Sequence, residues 1–496
     1  MTLTQAPATP ASPATPTSPT SPAPPASPAS PANPGASTPP TTPPTALTAV
    51  PPYQQYVYAY PHKTAYRPLP PEQVSLRALW DGEPKDALSL YFHIPFCEVR
   101  CGFCNLFTRI GAPDGLTTAY LDALERQASA VREALGDGPR FANAAFGGGT
   151  PTFLTAAELE RLCDLAEHGL GADLTAIPLS VEASPATATA DRLAVLAGRG
   201  VTRLSLGVQS FVDTEARAAV RPQRRADVDT ALARIRDAAV PVLNIDLIYG
   251  IDGQTEESWT RSLDASLAWR PEELYLYPLY VRPRTGLGRQ RGDTGAPGEA
   301  PHDTEWDEQR LRLYRHGRDH LLAHGYEQVS MRMFRRADAP ADGGGDYACQ
   351  TDGMVGLGCG ARSYTSGLHY SFDYAVDMHR IRGIIDAYTA RSVDAFRHAD
   401  FGWEMTPEEA RRRHLLQSLL QAEGLRVADY TSRFGAAPGD DFPTELERFH
   451  DRGWLDGSTG PDLLRLSPEG LAHSDAVGPE LFSAGVRDRM AAYEVK

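Results

Sequence analysis

The 496-residue sequence predicts an α/β fold built on a parallel sheet, from three observations. Between Leu88 and Tyr277, short apolar runs of strand length alternate with helix-period segments, giving six strand–helix units in series; such a series makes a parallel sheet with its helices outside. The residue types that carry chemistry fall where strands end, which is where ligands sit in sheets of this kind. The texture then changes after Thr406, predicting a small helical, winged-helix-like C-terminal domain. A closed eight-unit barrel and an open partial barrel both fit this pattern.

In chain order, residues 1–52 are Pro, Ala, Ser and Thr with almost no large apolar side chain. Such a leader cannot offset the entropy of ordering and is expected to be disordered. An aromatic lead-in from Tyr53 to Trp80 is expected to pack across the main domain, and Leu88–Ile94 reads as the first strand. Next come a helix over Thr117–Leu135, a strand over Phe141–Phe146 that delivers Gly147-Gly148-Gly149-Thr150-Pro151, and a helix to about Leu170 opened by a Thr155/Glu158 capping box. Strands over Leu179–Glu182, Arg203–Val208, Leu243–Tyr249 and Leu274–Tyr277 alternate with helices over Asp191–Ala197, Asp227–Ala238 and Glu256–Trp269. A Gly- and Pro-rich crossing near Gly286–Pro301 leads to a helix over Trp306–Ala323, the segment Val329–Phe334, Gly343-Gly344-Gly345, and a loop over Gly356–Tyr364. Beyond Thr406 the sequence predicts helices over Pro407–Ala422 and Thr444–Asp451 and a strand over Leu463–Leu466. The expected divisions are therefore residues 1–52 (leader), 53–300 (core), 301–400 (extension and substrate-side loops) and 401–496 (C-terminal domain).

With 42% hydrophobic residues the chain can bury sizeable cores. Its net charge of −15 argues against a nucleic-acid or anionic-membrane partner. There is no signal-peptide pattern and no apolar run of the roughly 20 residues a membrane helix needs, so a cytoplasmic location is expected.

Cys97, Cys101 and Cys104 give C-x3-C-x2-C directly after the first strand. Soft thiolates in one loop favour an iron–sulfur cluster or zinc. Structural zinc wants four ligands, and the next cysteine, Cys163, lies far off on a helix among Leu159, Leu162 and Ala166, where it reads as core. An odd trio cannot pair as disulfides. A four-iron cluster held by three cysteines keeps one iron open for chemistry. His93, with apolar neighbours, reads as a core histidine, and Cys349 with Cys359 falls short of the usual four ligands of an auxiliary cluster.

The run Tyr91-Phe92-His93-Ile94-Pro95-Phe96-Cys97 and the cysteine spacing resemble the radical S-adenosylmethionine (SAM) enzymes, specifically the oxygen-independent coproporphyrinogen III oxidase-like (HemN-like) branch. The likeness spans roughly Tyr53 to Met490. It implies the partial six-unit barrel, a [4Fe-4S] cluster on Cys97, Cys101 and Cys104, and SAM on the open iron. In the family an electron from the cluster cleaves SAM to methionine and a radical that removes hydrogen from substrate. It also implies a flavodoxin- or ferredoxin-type electron donor and a small-molecule, tetrapyrrole-like substrate.

Matched to the family's motifs, Tyr91, Phe103, Gly148, Gly149, Thr150, Glu182, Gln209, Arg221 and Asp246 are the expected SAM contacts. The glycine loop offers approachable backbone N–H and C=O groups for the methionine end, and Glu182 can accept from the ammonium. Arg221 can pair with the carboxylate, while Asp246 or Gln209 can bond adenosine hydroxyls. Tyr280 and Arg362 stand where the oxidases line a second SAM pocket, and Arg332, Arg335, Arg336 and Arg362 are a candidate cationic patch for a carboxylate-bearing substrate.

The sequence also departs from the family. The oxidases carry a further cysteine where Leu106 stands, and an N-terminal signature that is absent here. The related haem chaperones (HemW-like) carry a His-Asn-x-x-Tyr-Trp signature where this chain reads Asp346-Tyr347-Ala348-Cys349-Gln350. Oxidase-like chemistry on an unassigned substrate is the leading expectation. A haem chaperone and a methyl-transferring variant are the rivals.

Overall fold

Strands that bury both faces need apolar side chains almost throughout, and the first of them, β1 (Leu88–Ile94), buries every residue but Tyr91. In the computed structural model, which describes residues 50–57, 59–70, 74–292, 303–340 and 353–493, β1 is followed across the sheet by β2 (Phe141–Gly148), β3 (Leu179–Ala183), β4 (Arg203–Gln209), β5 (Val242–Tyr249) and β6 (Glu273–Pro278). All six are parallel and lie in chain order. The helices between them include α1 (Leu116–Leu135), α2 (Ala156–Asp164), α3 (Ala190–Gly198), α4 (Arg225–Asp237) and α5 (Glu256–Leu267). The capping box at the start of α2 is formed in both directions between Thr155 and Glu158.

The sheet is open, not closed: a 13-stranded order runs from Arg67–Pro68 at one edge to Tyr326–Gln328 at the other. After β6 comes α6 (Thr304–Ala323), and β7 (Met333–Arg336) then pairs antiparallel to β6. Three features differ from expectation. The segment read as one loop, Gly356–Tyr364, holds the end of β8 (Met354–Leu357), a seventh parallel strand beside β1, and a strand at Arg362–Tyr364 that folds back on it. Gly356 permits that hairpin, since a Cβ there would lie 2.1 Å from the Arg362 carbonyl oxygen; glycines in this run looked like loop because their role is close backbone approach. A short helix, Asp213–Ala218, went unread because one and a half turns show no periodicity. Within the Gly- and Pro-rich crossing, Gly286–Gln290 is helical. Gly343–Gly345, Asp346–Gln350 and the leader through residue 49 lie outside the described residues.

The main core packs the helices on the sheet through Phe92, Phe146, Tyr120 and Trp259. A second core joins Val57 and Tyr60 of the lead-in to Leu415, Tyr430 and Phe449 of the C-terminal helices. The lead-in thus binds to the C-terminal region as well as to the barrel. The C-terminal region contains helices Pro407–Leu419, Val427–Phe434 and Pro443–Asp451, with a two-stranded ribbon pairing Leu425–Arg426 with Leu463–Leu464. Among the described residues, no helix is long and apolar enough to cross a membrane.

Candidate active site

A parallel strand alternates its side chains between two faces, and here one face carries the polar residues. Tyr91 and His93 come from β1, Ser180 and Glu182 from β3, Arg203 and Ser205 from β4, Asn244 and Asp246 from β5. They meet across the strands. The Arg203 guanidinium donates to the Ser180 hydroxyl at 3.1 Å and to Glu273 at 2.7 Å, and the Asn244 amide donates to Ser205 at 2.5 Å and Asp246 at 2.8 Å. Glu182 is exposed to solvent on this polar face, near the carboxyl end of β3. Burial first, then the nearby Asp246 charge, pushes its carboxyl up to about 7. Burial also raises Asp246, against the bonds from Asn244 and Ser205.

Cys97, Cys101 and Cys104 follow the carboxyl end of β1, and three backbone ties hold their loop. The Gly149 N–H donates to the Ile94 carbonyl at 2.8 Å, the Thr150 N–H to the Phe96 carbonyl at 2.8 Å, and the Gly102 N–H to the Ala219 carbonyl at 3.0 Å. The cysteine loop is therefore laced to the glycine loop on one side and to the turn after Asp213–Ala218 on the other. The Gly148 N–H donates to Glu182 at 3.0 Å. All three amides of Gly148, Gly149 and Thr150 are thus committed inside the protein. What this loop can offer a ligand is carbonyl oxygen, which suits an ammonium donor and not a carboxylate.

Around the thiols, Thr150 Oγ1 lies 3.4 Å from Cys97 Sγ, and the Arg221 guanidinium donates to Cys101 Sγ at 3.0 Å. Arg221 also donates to the Gly207 carbonyl and, at 2.6 Å, to Gln223. Gln209 sits at a register shift in β4 with φ of 71°, a left-handed conformation that a non-glycine residue adopts only when its surroundings impose it. Phe103 packs on the small apolar group that includes Ile248 and Leu279.

The match to a family model decides what this arrangement is: residues 91–265 fit the model described as the radical SAM superfamily, a span that takes in all three cysteines and the ends of β1 to β5. The chain carries a domain of the radical SAM superfamily. Within it, the relatives are HemN and HemW proteins. The chain is 27% identical over 372 residues to the heme chaperone HemW of Bacillus subtilis, covering 75% of this chain and 93% of that one. It is 29% identical over 416 residues to the oxygen-independent coproporphyrinogen III oxidase of Pseudomonas aeruginosa, covering 80% and 83%. The solved structure of coproporphyrinogen III oxidase (HemN) from Escherichia coli superposes with a TM-score of 0.68 at 24% identity, covering 82% of this chain and 94% of that one.

The cofactors of this radical SAM protein are a [4Fe-4S] cluster and SAM, and the thiols fit the cluster. Burial pushes the Cys97 thiol up to about 12 and also raises Cys104, a cost that coordination to cationic iron removes. Cys97, Cys101 and Cys104 supply only three of the four ligands that a structural zinc ion wants.

His93 is buried, with Nε2 3.0 Å from the Phe107 carbonyl, and burial holds its pKa down at about 4. Gly148, at φ +110°, lies against its ring. Cys163 is core, and Cys359 is buried with its N–H donating to Tyr120 at 3.1 Å; Cys349 lies outside the described residues.

The candidate substrate residues divide. Arg332 is buried and paired with Asp475 at 2.6 Å, and Tyr280 donates to the same carboxylate at 2.7 Å. Arg335 faces Glu273, and Arg336 pairs with Glu272 and Asp338. The expected four-arginine patch is therefore not assembled: Arg332 meets Asp475 of the C-terminal region, and β7, paired with β6, brings Arg335 and Arg336 to Glu273, Glu272 and Asp338. Burial first, then the charges of Lys63, Arg362 and Arg282, depresses the pKa of His62. Lys63 and Arg282 were missed, lying far apart in sequence. Asn244 and Ser205 were missed as well, although Asn244 lies two residues from Asp246 on the same strand face.

Proposed function

We propose that this radical SAM protein is an oxidoreductase of the coproporphyrinogen III oxidase-like kind, abstracting hydrogen from a small, carboxylate-bearing substrate of tetrapyrrole type. The observation that carries this reading is the lacing of the cysteine loop to the glycine loop, with Glu182 on β3, Asp246 on β5 and Arg221 in the loop after Asp213–Ala218 around it. Cys97, Cys101 and Cys104 would hold the cluster, which with SAM supplies the hydrogen-abstracting equivalent.

The chain's own groups then have distinct tasks. The carbonyls of the glycine loop and ionised Glu182 receive the SAM ammonium. Asp246, held by Asn244 and Ser205, accepts from ribose hydroxyls. Tyr91 and Phe103 line the site, and Gln209 reaches it through its forced backbone. Lys63, Arg282 and Arg362 present positive charge to substrate carboxylates, for which oxidative decarboxylation of a porphyrinogen propionate is the model reaction. A flavodoxin or ferredoxin would deliver the electron.

The test is anaerobic reconstitution with iron and sulfide, then reduction with SAM, comparing wild type and Cys97→Ala for 5'-deoxyadenosine. Formation by wild type alone supports the proposal. Equal amounts from both would overturn it. Stoichiometric haem binding without 5'-deoxyadenosine would instead assign the chain to the chaperone class, the class of its Bacillus subtilis relative.

A further inference from the structure

Away from the barrel mouth, α5 and α6 lie side by side on the outer layer, and their facing surfaces carry matched residues at intervals of four. The α5 side presents Glu256, Thr260 and Asp264; the α6 side presents His316, His320 and, at its C-cap, His324. Four-residue spacing puts each set on one helix face. His316 Nε2 lies 2.7 Å from the Thr260 hydroxyl, and His320 Nε2 lies 2.8 Å from Asp264 Oδ1. The rings of His320 and His324 are 4.3 Å apart, centre to centre.

We propose that Asp264, His320 and His324 form a binding site for a divalent transition metal of the zinc class, separate from the cysteine loop. One ligand atom from each lies within 4.8 Å of the others, and the site is empty in this structure. Two features beyond spacing favour a metal. His324 Nδ1 donates to the His320 carbonyl at 2.7 Å; this fixes the tautomer, puts the lone pair on Nε2, and is the outer bond that metal-ligating histidines typically make. His324 also caps the helix C-terminus, where the partial negative charge of the last carbonyls favours a cation. Two imidazoles and one carboxylate suit zinc with water in the fourth position, and poorly suit calcium or magnesium, which prefer all-oxygen shells. Zinc would displace the proton shared between His320 and Asp264. Bound there, it would clamp α6 to α5 across the outer layer.

The test uses tag-free, cluster-loaded protein under anaerobic conditions, equilibrated with zinc chloride by dialysis, with zinc and iron counted together by mass spectrometry. One zinc per chain with iron content unchanged is expected, together with a rise in melting temperature. His324→Ala should bind zinc at least about tenfold more weakly, and His320→Ala with His324→Ala should lose both the zinc and the melting shift while keeping the wild-type circular dichroism. Zinc uptake matched by iron loss would place the ion on the cysteines and overturn the proposal. So would equal uptake by wild type and the double variant, or no uptake by wild type.

Discussion

The Arg221 guanidinium donates to Cys101 Sγ across 3.0 Å, although 120 residues separate the two in sequence. A positive donor on a ligand sulfur stabilises the more negative, reduced cluster. Arg221→Ala should therefore make the cluster harder to reduce. Loss of one charge-assisted hydrogen bond worth about 1.4 kcal/mol corresponds to a midpoint roughly 60 mV lower for a one-electron couple. A potentiometric titration followed by electron paramagnetic resonance reads this, and Arg221→Lys should recover part of it. Identical midpoints in wild type and Arg221→Ala would remove the role.

Glu182 predicts a pH dependence. Its carboxyl is held up at about 7, by burial first and then by Asp246, and the SAM ammonium favours the ionised form. Below that pH a proton must leave before the ligand binds, so SAM affinity should fall by about tenfold for each pH unit below 7 and level off above it. Calorimetric titration from pH 5.5 to 8.5 checks the sign. Glu182→Gln should bind more weakly at pH 8 and lose the step at 7.

The alternation of short apolar runs with helix-period segments made the fold legible, because each such pair folds as one strand with its covering helix. That placed Glu182 at a strand end and Asp246 within a strand before any coordinates, and the family resemblance marked both as SAM contacts; Asn244 was not among the expected residues. Groups brought in by long connections were not legible. Asp475 meets Arg332 and Tyr280 only because the C-terminal helices close over the barrel edge, and β8 reaches β1 from over 250 residues away. Glycines were the other blind spot: Gly356 and Gly360 look like loop residues but serve close approaches, Gly360 against the His93 ring.

Asp475 and Arg332 are 1% and 3% exposed, and Asp475 also accepts from the Val57 N–H at 3.3 Å. One carboxylate thus joins lead-in, barrel and C-terminal region. Asp475→Ala would strand a buried guanidinium and should cost about 3–5 kcal/mol, read as a lowered urea midpoint. Arg332→Met combined with Asp475→Leu should recover most of that loss. A double variant no more stable than Asp475→Ala would show that the carboxylate acts mainly through Tyr280 and Val57.

Gly149 offers the sharpest separation of cluster assembly from folding. A Cβ at this position would lie 2.6 Å from the Phe96 carbonyl oxygen and 2.9 Å from that of Ile94, and both obstacles are backbone. The same two carbonyls accept the Thr150 and Gly149 amides, so Gly149→Ala must push apart the two loops those bonds hold together. Forcing one methyl into such packing costs about 1–3 kcal/mol, a strain that falls on the segment carrying Cys97 and not on the sheet below it. Gly149→Ala should therefore fold, with a melting temperature a few degrees lower, yet retain less iron after desalting than wild type. Iron retention equal to wild type would show that the cysteine loop holds its shape without the glycine loop, and the lacing would lose its place in the mechanism.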